Sequence, residues 1–171
     1  MKINILKILK NDNVQEKFDI IDDNQYELIF NNQTFKTLPP MSVRGNAVNY
    51  AGKIEIEFEV SAKVTVQCSR CIENYVEDIN ISSNHIFVKE GFQNDEEQEI
   101  YSGDEIDLTE IVLNEIAAEL PMKPLCTTDC KGLCSVCGKN KNQAECGCKA
   151  DEIDSRLQVL QKLLEDKQGG V

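Results

Sequence analysis

"KIEIEFEVSAKVTVQ", residues 53 to 67, alternates along its whole length. Ile54, Ile56, Phe58, Val60, Ala62, Val64 and Val66 are apolar, and the positions between them are polar. Side chains of a strand point to opposite faces in turn, so a period of two this long predicts a half-buried antiparallel strand. A bend or bulge is expected near Ser61 and Ala62.

Working outward, "VRGNAVN" (43–49) and the turn "YAGK" (50–53) predict the preceding strand of a hairpin. Further upstream, "KINILKIL" (2–9), "VQEKFDII" (14–21) and "QYELIF" (25–30) read as short strands separated by Asn/Asp turns. Downstream, "YVEDINISSNHIFV" (75–88) reads as the returning strand. The first ninety residues are therefore expected to be mostly antiparallel sheet.

Two helices are expected after the sheet. "DLTEIVLNEIAAEL" (107–120) begins at a capping Asp107 with Glu110 three residues on, carries Leu108, Ile111, Val112, Ile116 and Leu120 on one stripe, and ends at Pro121. "DSRLQVLQKLLED" (154–166), capped by Asp154, turns Leu157, Leu160 and Leu164 inward. The fold class is thus α+β: a mostly antiparallel sheet, then two C-terminal helices flanking a cysteine-rich segment. The expected organisation is 1–120, sheet with acidic loop and packing helix, and 121–171, cysteine-rich module and C-terminal helix, forming one compact unit.

The chain has 171 residues, 41% of them hydrophobic, enough for a core. No apolar run approaches the length of a bilayer crossing, so no membrane partner is expected. "MKINILKILKN" resembles a signal peptide only at first glance: Lys7 and Lys10 interrupt it and no small-residue cleavage site follows. The reading is a cytoplasmic protein, where thiols stay reduced and an even number of cysteines points to metal rather than disulfides. The net charge is −12, and its source is local. Between Glu90 and Met122 there are eleven acids and no Lys or Arg; the rest holds 19 acids against 18 bases. Such a stretch is either a solvated loop or a face for a basic partner.

Eight cysteines remain to be explained. Cys68 and Cys71 form "CSRC" where the long strand ends, and a hairpin tip aims two thiolates at one point. A redox CxxC is the rival, but it needs a helix N-terminus or a cationic setting, and only Arg70 offers the latter. The other six, Cys126, Cys130, Cys134, Cys137, Cys146 and Cys148, fall in "CTTDCKGLCSVCGKNKNQAECGC" (126–148). Zinc takes four thiolates in a closed tetrahedron, so eight cysteines fit two zinc ions. Chain order suggests Cys68, Cys71, Cys126 and Cys130 in one site and Cys134, Cys137, Cys146 and Cys148 in the other; a crossed arrangement joining the two CxxC pairs stays open. "CKGLCSVC" has the spacing of radical S-adenosylmethionine clusters, but only 34 residues follow Cys137, too few for that barrel. Other iron–sulfur ligation and reversible disulfides remain alternatives, although the common ferredoxin spacings are absent.

Catalysis finds little support. The sole histidine, His85, reads as an ordinary sheet residue, and closed metal sites offer no open coordination position. No glycine-rich phosphate loop is present, so neither an enzyme nor a small-molecule substrate is expected.

Together, the β region ending in "CSRC", the acidic stretch, "DLTEIVLNEIAAELPMKPLC", "DCKGLCSVCGKNKN" and "DSRLQVLQKLL" resemble the YceD-like family over nearly the whole chain. The resemblance implies a role in accumulation of large-subunit ribosomal RNA, hence in large-subunit assembly; in many bacteria members are encoded beside a small large-subunit ribosomal protein. Cys68 and Cys71 match the family's CxRC pair, and the six later cysteines match the cysteine-rich form of its C-terminal motif. Some members lack most of that second set, which favours a separable site for Cys134 to Cys148. The expected partners are large-subunit precursor rRNA or a ribosomal protein. Lys123, Lys131, Lys139, Lys141 and Lys149 surround the cluster, outnumber Asp129 and Glu145, and could touch rRNA phosphates or simply offset thiolate charge. Without aromatic residues from 121 to 149, base stacking is disfavoured. The competing class is a redox- or zinc-responsive regulator whose cluster exchanges metal for disulfides.

Overall fold

The computed structural model describes residues 1–10, 14–30, 33–91 and 98–148. In chain order the elements are β1 (Lys2–Asn4), α1 (Leu6–Leu9), β2 (Gln15–Asp22), β3 (Glu27–Phe30), β4 (Gln33–Tyr50), β5 (Lys53–Gln67), β6 (Asn74–Lys89), β7 (Gln98–Tyr101), β8 (Glu105–Asp107) and α2 (Thr109–Glu119). The result is mostly sheet with two helices among the described residues, an α+β arrangement. The expected helix over 154–166 lies outside the described residues.

The alternation of β5 organises the rest. Its apolar positions are all buried, with Ile54, Ile56, Val64 and Val66 at 0% exposure. Burying a side chain of this size stabilises by roughly 1.5–3 kcal/mol, so this one face anchors the core. β5 pairs antiparallel with β4 on one side and β6 on the other, as the hairpin readings required. The six-stranded sheet runs β2-β4-β5-β6-β7, with β3 also paired to β4. β4 is long enough to hold both: Glu27–Phe30 pairs with its first residues and Gln15–Asp22 with its last. β7 joins β6 in parallel, and β1 and β8 form a separate two-stranded sheet.

Three local expectations are corrected. The irregularity expected at Ser61 and Ala62 lies on the partner strand, where the register shifts between Leu38 and Ser42. Pro39 and Pro40 have no N–H to give the ladder, so β4 departs while β5 continues unbroken. The strand expected over 2–9 stops at Asn4, whose Oδ1 accepts the Leu6 N–H at 3.0 Å. The chain then makes one helical turn that buries Ile5 and Ile8, a spacing that suits a turn better than a strand. Finally, Asp107 caps α2 from one residue further out than expected: its Oδ1 accepts the Thr109 N–H at 2.9 Å, while Leu108 holds the cap position.

The chain divides into two units. The first comprises Met1–Ser69 and Glu73–Cys126, and the second Arg70–Ile72 with the chain from Thr127 on. Within the first, α2 buries Val112 and Ile116, and Ile3, Ile106 and Leu108 join the same core as β5.

Asp22 is a buried acid with a full set of partners. It accepts hydrogen bonds from the Asn24 N–H (2.9 Å), Asn24 Nδ2 (2.7 Å) and the Tyr26 hydroxyl (2.8 Å). Burial pushes its carboxyl up, but these donors together outweigh it and hold the pKa below the ordinary value of 3.8. A carboxyl depressed in the folded state adds stability above its unfolded pKa, and that stability is lost as pH falls through the folded value. Asp22→Asn is therefore expected to cost about 1 kcal/mol at neutral pH and to flatten the acid limb of the stability curve. Urea midpoints measured at neutral pH and near pH 3 check this; an unchanged acid limb would dismiss the role.

Candidate metal centres

Between β5 and β6 the chain makes the tight tip Cys68–Glu73, closed by the Cys68 N–H on the Glu73 carbonyl at 2.9 Å. Ile72 takes a left-handed conformation, φ 62°, to complete the turn. Beside Cys68, the Ser69 N–H donates to the Pro124 carbonyl at 2.8 Å, holding the tip near the approach to Cys126. In the second unit, Arg70 Nη1 donates to the Cys130 carbonyl at 2.9 Å and the Leu133 N–H to the Arg70 carbonyl at 3.1 Å. The Sγ atoms of Cys68, Cys71, Cys126 and Cys130 all lie within 4.8 Å of one another. Cys68, Cys71 and Cys130 are buried and Cys126 is half-buried. Burial and the nearby Glu77, with smaller contributions from Cys68 and Cys126, push the Tyr75 phenol up to about 12.

Cys134, Cys137, Cys146 and Cys148 form a second cluster with the same spread, all four within the second unit. "CSVCG" turns as its glycine predicts: the Gly138 N–H reaches the Cys134 carbonyl at 2.9 Å, and Gly138 has φ 70°. The strand pair closes through Cys134 N–H to the Lys139 carbonyl at 2.8 Å and a bridge between Leu133 and Asn140. The Cys137 and Val136 N–H groups point at the Cys134 sulfur and, with Cys146, lower its pKa to about 6. Its neighbour Cys148 is pushed up to about 12, first by its hydrogen bond with Cys137. Backbone donors aimed at sulfur favour thiolate, the form a metal binds.

All eight cysteines are free thiols in the structure. A tetrahedral ion with metal–sulfur bonds of about 2.3 Å sets sulfurs about 3.8 Å apart, and the thiols of each cluster lie within 4.8 Å of one another. The clusters follow chain order rather than the crossed arrangement that joins the CxxC pairs. Both sets could hold a metal ion.

Lys131, Lys139 and Lys141 are exposed in the second unit, and Lys123 is exposed in the first. Lys149 lies outside the described residues. His85 has more company than an ordinary sheet residue: its ring stacks on Phe58 at 5.7 Å, and Nε2 lies 3.0 Å from Glu115 Oε1 and 3.1 Å from Ser83 Oγ. Serine and carboxylate meet the same ring nitrogen, whereas a nucleophilic relay needs them on opposite nitrogens. The group fastens α2 to β6. Only Ser83-x-His85 on one strand face hinted at it, and Glu115 is too distant in sequence to be paired with them by pattern.

These features define a class, a mostly antiparallel α+β chain carrying two four-thiol clusters. The chain belongs to the large ribosomal RNA subunit accumulation protein YceD family, whose model matches residues 56–164. It is 28% identical to the uncharacterised protein YlbN of Bacillus subtilis over 81% of this chain and 82% of that one. It is 29% identical to the uncharacterised protein Rv2926c of Mycobacterium tuberculosis, over 61% and 53% respectively. A third relative is the Arabidopsis thaliana chloroplastic protein named large ribosomal RNA subunit accumulation protein YCED homolog 1, 24% identical over 75% of this chain and 50% of that one. The chain thus spans most of the Bacillus relative and about half of the other two. No solved structure matches it. Among the described residues no helix is long and apolar enough to cross a membrane.

Proposed function

We propose that this chain is a non-enzymatic factor for large ribosomal subunit assembly and rRNA accumulation, stabilised by two zinc ions. It acts by binding a precursor particle or a basic ribosomal protein. The observation that carries the reading is the family match over a segment that includes all eight cysteines, together with their grouping into two sets of four. Closed four-thiolate sites serve folding rather than catalysis, which suits a binding protein. Zinc is the natural occupant of an all-thiolate tetrahedron in a reducing compartment. Lys131, Lys139 and Lys141 supply phosphate contacts, and the acidic stretch from Glu90 to Met122 supplies the surface for a basic protein.

The test combines depletion with native mass spectrometry of the endogenous protein, purified without chelator. Depletion is expected to lower large-subunit rRNA relative to small-subunit rRNA, and the protein to carry two zincs. Unchanged rRNA ratios would sink the assembly reading, and an apo mass with paired disulfides the zinc reading. A second reading, a redox- or zinc-responsive regulator, draws on the exposure of Cys137 and Cys148. It requires zinc to leave under mild peroxide and to return on reduction, whereas a structural site holds its metal throughout.

A further inference from the structure

Among the described residues, β6 has a long open side. β5 covers one edge from Asn74 to Val88, while β7 covers the other only from Ile86 to Lys89. Among the described residues, the edge from Asn74 to His85 has no strand beside it. "NYVEDINISSNH" contains no proline and no lysine, two of the usual devices that stop a free edge from pairing. Exposed Asn74, Val76, Asp78, Asn80 and Ser82 alternate with the inner-face residues Tyr75, Glu77, Ile79 and Ile81, so an incoming strand would meet regular backbone.

Charge identifies what fits this edge. Glu77 and Asp78 stand on it, with Lys63 paired to Asp78 at 3.4 Å across the ladder. The chain that follows holds eleven acids and no Lys or Arg from Glu90 to Met122. At the far end of the edge is a hollow of about 240 Å³ lined by His85, Glu99, Ile111, Asn114, Glu115 and Ala118. Ile111 and Ala118 offer apolar contact for an alkyl stem, and Glu99 and Glu115 offer carboxylates for its charged head. Glu115 uses Oε1 for Ser83 and His85, which among the described residues leaves Oε2 for a cation.

We propose that the β6 edge from Asn74 to His85 accepts an extended Lys/Arg-rich segment of a protein partner as an added strand, with one basic side chain seated in this hollow. The proposal rests on the basic-partner reading above and gives it a surface. Main-chain hydrogen bonds supply the affinity, and the alternate side chains the selection for positive charge.

The experiment uses the full chain and a synthetic peptide of alternating Lys and Val, followed by fluorescence anisotropy and amide hydrogen exchange. A second peptide of equal charge is N-methylated at alternate residues, so that it cannot complete a ladder. Expected are exchange slowed over 74–85 on binding, and affinity about tenfold or more lower for the N-methylated peptide. Glu99→Lys, at the rim of the hollow, is expected to weaken binding by about tenfold through like-charge contact. Equal affinity for the two peptides overturns the added strand while leaving the basic-partner reading intact. No binding of either peptide, nor of basic ribosomal proteins, overturns both. Concentration-dependent protection of 74–85 without peptide identifies a second copy as the occupant and overturns the proposal.

Discussion

With two zincs bound as proposed, Cys71→Ser is expected to release one of them and to lower the cooperative stability of the sheet, whereas Cys148→Ser should release the other and leave the sheet intact. The asymmetry follows from where the thiols are anchored. Cys68 follows β5 and Cys126 follows α2, both within the first unit, and their sulfurs lie within 4.8 Å of each other. An ion held by this pair would close the chain across β6 and α2, so its loss frees a long loop in the unfolded ensemble. Cys134, Cys137, Cys146 and Cys148 all belong to the second unit. Zinc contributes about 10–16 kcal/mol of apparent free energy in small modules, as much as the whole stability of a typical domain at about 5–15 kcal/mol. Serine retains the shape but supplies a poor, protonated ligand, so the effect is on binding rather than packing. Native mass spectrometry counts the metal, and circular dichroism in urea reads the sheet, whose chain lacks tryptophan. A Cys71→Ser protein that keeps two zincs would refute the grouping of the first cluster.

The parts of this molecule that were legible in its sequence share one property: their cause lies within the segment itself. The period of β5 is written in its own residues, so its buried face could be read position by position. The cysteine clusters were nearly legible for the same reason, because short spacings bring pairs together. The choice between chain-order and crossed pairing depended on the hairpin tip approaching Pro124, which no spacing encodes. Where the cause lay in another segment, sequence reading failed. The irregularity expected at Ser61 and Ala62 of β5 falls at the right level of the ladder, but it originates in Pro39 and Pro40 on the partner strand. Ile3, Ile5, Ile8 and Leu9 suit a strand and a turn alike, and the side chain of Asn4 decides between them. β7 and β8 are too short to show a period and sit in a stretch dominated by charge. The His85–Ser83–Glu115 group joins a strand to a helix, and nothing local to either announces it.

Gly45 gives the sharpest contrast between local propensity and tertiary structure. In the middle of a strand, alanine ordinarily stabilises by about 0.5–1 kcal/mol relative to glycine. Here the sign is expected to reverse. Gly45 sits in β4 between Phe18 of β2 and Phe58 of β5. A Cβ at this position would collide with the Glu57 carbonyl oxygen and lie 2.7 Å from Phe18 Cζ and 2.9 Å from Phe58 Cα. The Phe18 ring could swing aside, but the other two contacts are backbone atoms of the central strand pair. Relieving them means parting β4 from β5 beside fully buried Val43 and Ile56. Gly45→Ala is therefore expected to destabilise by about 2–4 kcal/mol and Gly45→Val by more. Gly52→Ala separates sterics from conformation, because Gly52 has φ +87° with nothing within 4 Å of its added Cβ, and should cost only about 1 kcal/mol. Phe18→Leu combined with Gly45→Ala should recover little, since the closest contact remains. Urea midpoints of the four proteins decide the matter. A Gly45→Ala chain as stable as the parent would mean that the strands part more easily than this packing allows. A full rescue by Phe18→Leu would place the strain in the ring and not in the backbone.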